Sequence, residues 1–191
     1  MDKRIEKTIA NAREAAIDVL AQRGFAAFTM EAVAARSGIS KSTLYRHWPD
    51  RIRLLSDALE TLNRQPRHAE PLQPNELHGR VIELVTHLTT VFVNSRIARV
   101  TPALIEAAEH HPDVALFLHN YSATRRQTLV GLLEAGVKVG DLAADFDPEL
   151  GALVLSGPIF YCRLLSPAPF PQEQVVALVD FVLGRAKGRP D

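Results

Sequence analysis

"GISKSTLYRHWPD", residues 38–50, carries Lys41, Ser42, Thr43, Tyr45, Arg46 and His47 around two strong apolar anchors, Leu44 and Trp48. A helix this short does not hold itself together in water, because nucleation costs more than its few hydrogen bonds return. Its neighbours must support it. On a helical wheel Leu44 and Trp48 share the inner face, while Ser42 and Arg46 point nearly opposite. Thr43 lies beside that outer pair, and Tyr45 and His47 occupy the flanks. Lys41 falls at the amino end, where unpaired N–H groups and the helix dipole favour an anion.

Working upstream, "MEAVAARS" reads as a short helix capped by Thr29, with Glu31 favourably placed in its first turn. Val33 and Ala34 face inward, and the small side chain at 34 lets two helices approach closely. Gly38 supplies the tight turn, Ile39 fills the angle between the helices, and Ser40 caps the second one. This spacing of Ala, Gly, Ile and Leu is that of a DNA-binding helix-turn-helix, whose second helix enters the major groove amino end foremost. Arginine pairs bidentately with guanine and hydroxyls bond flexibly. Ser42, Thr43, Arg46 and Lys41 are therefore the candidate base readers, and Thr29, Tyr45, His47 and Arg51 the candidate phosphate contacts. A solvated polar face would be the plainer reading of the charges alone; the combined apolar spacing and caps favour DNA.

The rest of the chain also has helical period. In "KTIANAREAAIDVLAQRG" Ile9, Ala12, Ala16, Val19 and Leu20 recur three and four apart, with Ile5 before them and Gly24 as C-cap. Asp50 caps a fourth helix striped by Leu54, Leu55, Ala58, Leu59 and Leu62. Helices are predicted at 75–94, 97–110, 113–138, 148–165 and 172–187. No alternating strand pattern is present. "QPRHAEPLQP" holds three prolines in ten residues and breaks the chain into two helical bodies. The fold expected is all-α: a DNA-binding domain over 1–50 and a second helical domain over 51–191, in which 51–64 connects and 65–75 is the break.

The 191 residues are 47% hydrophobic and 23% charged, enough for a real core. Net charge is zero, but residues 1–65 hold 11 Lys/Arg against 8 Asp/Glu, and residues 66–191 hold 11 against 14. Arg36, Lys41, Arg46, Arg51 and Arg53 face only Asp50 within 36–53, a local basic segment on a neutral chain. The single cysteine, Cys162, excludes an intrachain disulfide. The amino-terminal stretch has no apolar signal core, and the longest uncharged run, Leu150 to Cys162, is too short to span a membrane. A cytoplasmic protein without membrane association is expected.

"FTMEAVAARSGISKSTLYRHWPDRIRLLSDAL" closely resembles the N-terminal domain of the TetR family of bacterial transcription regulators. Two departures are Trp48, where phenylalanine is more usual, and Arg51, where lysine is. "DFDPELGALVLSGPIFYCRLL" and the apolar helix after it look like one of the family's C-terminal domain types. The resemblance implies dimerisation and effector sensing by the second domain, repression as the commoner mode, and the helix beginning at Arg51 as the transmitting element.

The residues add some support of their own. The last two helices are apolar nearly all round, the mark of a buried or interface helix, and Leu153, Val175, Val179, Phe181 and Val182 are nominated for a homodimer interface. Two reading helices about 34–36 Å apart suit a palindromic operator. Pro158 either bends its helix around a cavity or relieves crowding. Phe92, Ile105, Phe117, Tyr121 and Phe160 are the pocket candidates, although aromatic stripes mostly pack cores. Their character suits a small hydrophobic or aromatic effector. Arg125 and Arg126 would suit an acidic one, yet adjacent arginines more often lie at a surface.

Rival readings are a ligand-independent regulator, an activator, or a helical small-molecule-binding protein or enzyme. Glu106 and His110 stand one helical turn apart, but a polar helix end stopped by Pro112 explains them more simply. There is no HExxH frame, phosphate loop, nucleophile elbow or dinucleotide fingerprint. Neither catalysis nor a cofactor or metal is expected.

Overall fold

The computed structural model describes residues 3–66, 68–94 and 96–184, and among these there is no strand. The helices are α1 (Lys3–Arg23), α2 (Met30–Ser37), α3 (Lys41–His47), α4 (Arg51–Leu62), α5 (Leu77–Asn94), α6 (Arg96–His110), α7 (Pro112–Val139), α8 (Pro148–Leu165) and α9 (Val175–Leu183). A 3-10 turn, Gln172–Gln174, leads into α9. The end of the predicted 172–187 helix lies outside the described residues. None of the described helices is long and apolar enough to cross a membrane.

The chain forms two compact units, Met1–Arg64 with Ser95–Tyr121, and Gln65–Asn94 with Ser122–Asp191. The expected boundary after residue 50 falls inside the first of these, which takes in α4 and, from further along the chain, α6. Its axis is α1. Ala12, Ala15, Ala16, Ile17, Val19 and Leu20 are all buried, and the alanines let other helices come close. Against this side pack α2 through Met30 and Val33, α4 through Leu54, Leu55, Ala58 and Leu59, and α6 through Ile97, Val100 and Leu104. Phe25 and Phe28, in the link between α1 and α2, are sealed beneath.

In the second unit α5 packs on α8 and α9, with Leu129, Val130 and Leu133 of α7 in the core. Asp141 caps α5 from 64 residues away in sequence, accepting from the backbone N–H of Asn75 at 2.7 Å and of Leu77 at 3.3 Å. Gly136 lies under the side chain of Leu77, so close that a β-carbon there would sit 2.4 Å from it. Asp147 caps α8, accepting from Leu150 N–H at 3.0 Å, with Pro148 in the first turn where its missing N–H costs nothing.

Candidate nucleic-acid interface

Local capping builds the turn between α2 and α3. Thr29 Oγ1 accepts from Ala32 N–H at 3.1 Å and starts α2. Gly38 ends it in the left-handed region, φ 70°, a conformation that costs an L side chain about 1–2 kcal/mol. Ser37 Oγ donates to Val33 C=O at 2.8 Å and accepts from Ile39 N–H at 3.3 Å, fixing the path into the corner. Ser40 Oγ then accepts from Thr43 N–H at 3.2 Å and starts α3. Leu44 is fully buried and Trp48 is 6% exposed, so the two anchors hold α3 from its inner side.

The outer side carries the chemistry. Lys41, Ser42, Tyr45 and Arg46 are exposed, and Thr43 and His47 are half-buried. The hydroxyls of Ser40, Ser42 and Thr43 form a cluster, with Ser40 Oγ 3.0 Å from Ser42 Oγ and 2.9 Å from Thr43 Oγ1. Among the described residues Arg46 has no carboxylate partner, so its guanidinium fork is open to an outside acceptor. Lys41 Nζ is paired with Glu31 at 3.3 Å. The Glu31 carboxyl is held below its usual value first by its own backbone N–H, then by Lys41 and Thr29. Both partners are well exposed, so the pair adds little stability. His47 leans on the Trp48 ring at 5.5 Å.

Two nominated residues have internal duties. Thr29 is the cap just described. Arg51 donates from Nη1 to Phe28 C=O at 3.0 Å and lies over the Phe25 ring at 4.2 Å, so this cation braces the inside of the head. The pocket candidates divide between the two units. Phe92 and Phe160 meet in one, their rings tilted by 58° with centroids 4.5 Å apart. Ile105, Phe117 and Tyr121 belong to the other, where Phe117 and Tyr121 are 5.9 Å apart and Tyr121 Oη accepts from Asn63 Nδ2 at 3.3 Å. Of the interface candidates, Val175 and Val179 are buried within their own unit and Val182 is half-buried. Leu153 and Phe181 are exposed, as are Leu150, Tyr161, Leu165 and Val176 on the same two helices.

Two polar networks were not anticipated from the sequence. Asp57 of α4 receives both Arg13 of α1 and the Trp48 indole N–H. Asp18 of α1 receives Arg36 of α2 at 2.8 Å and also Arg96 of α6, which holds Glu14 at 2.7 Å as well. Burial alone would raise the Asp18 carboxyl, but Arg96 and then Arg36 outweigh it and hold it below the usual carboxylate range. Trp48 was the available signal, since a buried indole N–H needs an acceptor that phenylalanine would not.

Comparison with known proteins agrees with this geometry. Residues 13–58 match the family model described as bacterial regulatory proteins, tetR family, and residues 74–182 match a tetracyclin repressor-like C-terminal domain. The chain is 32% identical over 178 residues to YdeS, an uncharacterized HTH-type transcriptional regulator of Bacillus subtilis, covering 91% of this chain and 85% of YdeS. It is 27% identical over 166 residues to the uncharacterized HTH-type regulator Rv1556 of Mycobacterium tuberculosis, covering 86% and 80%. The crystal structure of the TetR family regulator SCO0332 superposes with a TM-score of 0.69 at 27% identity, covering 95% of this chain and all of that one. The chain belongs to the TetR family of bacterial transcription regulators.

Proposed function

We propose that this regulator is a homodimeric repressor. It reads a palindromic operator with α3 of each copy and is released by a small hydrophobic or aromatic effector bound in its C-terminal region. The observation that carries the reading is the outer side of α3, where Ser42, Tyr45 and Arg46 stand exposed on a helix anchored from behind by Leu44 and Trp48. Lys41, Thr43 and His47 complete the reading surface. Thr29 and Arg51 reach DNA only through groups not already bonded inside the head.

Dimerisation is supported by the exposed apolar residues of α8 and α9, above all Leu153, Tyr161, Leu165 and Phe181. A stripe of this kind on a soluble protein marks a surface that is covered in use. One reading helix makes few contacts, and two related by a two-fold axis double them and impose a half-site spacing. Effector release follows by linkage: a ligand favouring the DNA-incompetent state lowers operator affinity by its differential affinity for the two states.

Selection of bound duplexes from a random pool at physiological salt tests the reading. An enriched palindrome with half-sites about 10 base pairs apart, or a multiple of that, is expected. Duplexes retained without any shared sequence would overturn sequence-specific regulation, and a single unpaired half-site would overturn the dimer.

A further inference from the structure

Asp57 gathers three elements of the head onto one carboxylate. Arg13 of α1 grips it as a fork, Nε to Oδ2 at 2.9 Å and Nη2 to Oδ1 at 2.8 Å. Trp48 Nε1 donates to the same Oδ2 at 2.8 Å. Trp48 is also where α3 stops, its backbone N–H bonding back to Leu44 C=O at 2.9 Å. The indole is thus attached to the reading helix at one end and to α4 at the other.

An aromatic anchor by itself fixes little more than depth, because apolar burial has no direction. A hydrogen bond from the buried ring to a fixed oxygen also sets the ring's rotation, and with it the angle of the backbone that carries it. Arg13 supplies the fixity: a bidentate guanidinium holds the carboxylate plane where a single contact would let it turn. The Arg13–Asp57 pair is 31% and 33% exposed, so by itself it adds little stability. The indole N–H, in contrast, would be stranded in a buried site without its acceptor.

We infer that Asp57 is a positioning residue for DNA reading. Through the Trp48 indole it sets the angle at which α3 presents Ser42, Tyr45 and Arg46, and Arg13 keeps its carboxylate in register. The inference rests on the proposal that α3 reads DNA. Phenylalanine at position 48 would keep the anchor and lose the angle.

The test compares the full-length protein with Trp48→Phe, Asp57→Asn and Asp57→Ala. Each is measured on the duplex that the wild type selects and on a scrambled duplex, with a thermal melt beside it. Because the chain has one tryptophan, its side-chain N–H gives a single proton–nitrogen resonance whose exchange with solvent reports the bond directly. Trp48→Phe is expected to lose about tenfold in affinity for the selected duplex while changing less than about twofold on the scrambled one. Asp57→Asn, which keeps an acceptor oxygen but not the fork, falls between. Indole exchange accelerates in Asp57→Ala. A merely structural role would lower the melting temperature and both affinities together. Trp48→Phe binding the selected duplex like wild type would overturn the inference, as would unchanged indole exchange in Asp57→Ala; should the alanine variant not fold, Trp48→Phe decides alone. If the wild type enriches no duplex, the reading of α3 falls and this inference with it. Enrichment with an indifferent Trp48→Phe sinks the positioning role alone.

Discussion

Arg46 and Arg51 stand five residues apart and have opposite fates. Arg46 lies exposed in the last turn of α3, whereas Arg51 folds under the head against Phe28 C=O and the Phe25 ring. Replacing Arg46 with alanine is expected to cost about 1–3 kcal/mol of operator binding and to relax preference at one position of each half-site. Repeating the duplex selection with the variant checks this, and equal weakening on every sequence would make Arg46 a phosphate contact. Arg51→Ala is expected to act on folding instead. It loses a cation–π contact and a hydrogen bond, about 1–2 kcal/mol together, visible as a lower urea midpoint. The sequence could not separate these roles. Both look like cations near a helix end, and what claims Arg51 is a carbonyl 23 residues upstream. The caps were legible because they are local: Thr29, Ser40 and Asp50 each accept from an N–H three residues ahead.

At the scale of elements, α1 is the piece on which the head is assembled, through its polar edge as well as its apolar one. Asp18 ties α2 to α6 through Arg36 and Arg96, and burial is outweighed so that its carboxyl stays below the usual range. A group with a depressed folded pKa stabilises fully above its unfolded value, about 3.9, and loses that contribution as pH falls through the folded one. Thermal melts of Asp18→Asn are therefore expected to lie below wild type near pH 7, with the difference shrinking below about pH 4. A constant difference across that range would mean that the charge is not what matters. Helix positions were read well from periodicity, α8 to the residue and α4 at its start, though it stops at Leu62 rather than 64. The joints were not, because Asp18–Arg96 and Asp141–Leu77 link positions more than 60 residues apart and leave no local pattern.

Across the whole molecule, α8 and α9 explain why the interface candidates differ in burial. Both helices are apolar on nearly every side, so period alone does not say which side faces in. Val175 and Val179 hold α9 to its own unit, and Leu153 and Phe181 turn outward at 57% and 80% exposure. Replacing both outward residues with glutamate is expected to yield a folded monomer by light scattering, because it leaves the buried layer alone and puts charge where a second copy would sit. The same variant should lose about as much operator affinity as removing one half-site. A dimer that persists would move the interface elsewhere. The first unit has a different consequence, for synthesis. It is discontinuous, closing Met1–Arg64 with a stretch that ends at Tyr121. A nascent chain that has released only α1 to α4 lacks the apolar side of α6, with Ile97, Val100 and Leu104, that packs against them. At about 5–20 residues per second the ribosome takes several seconds to supply it. During that interval the head is incomplete and holds its apolar surface open to chaperones. A chain broken off before α6 leaves bare the side of α1 and α4 that α6 covers.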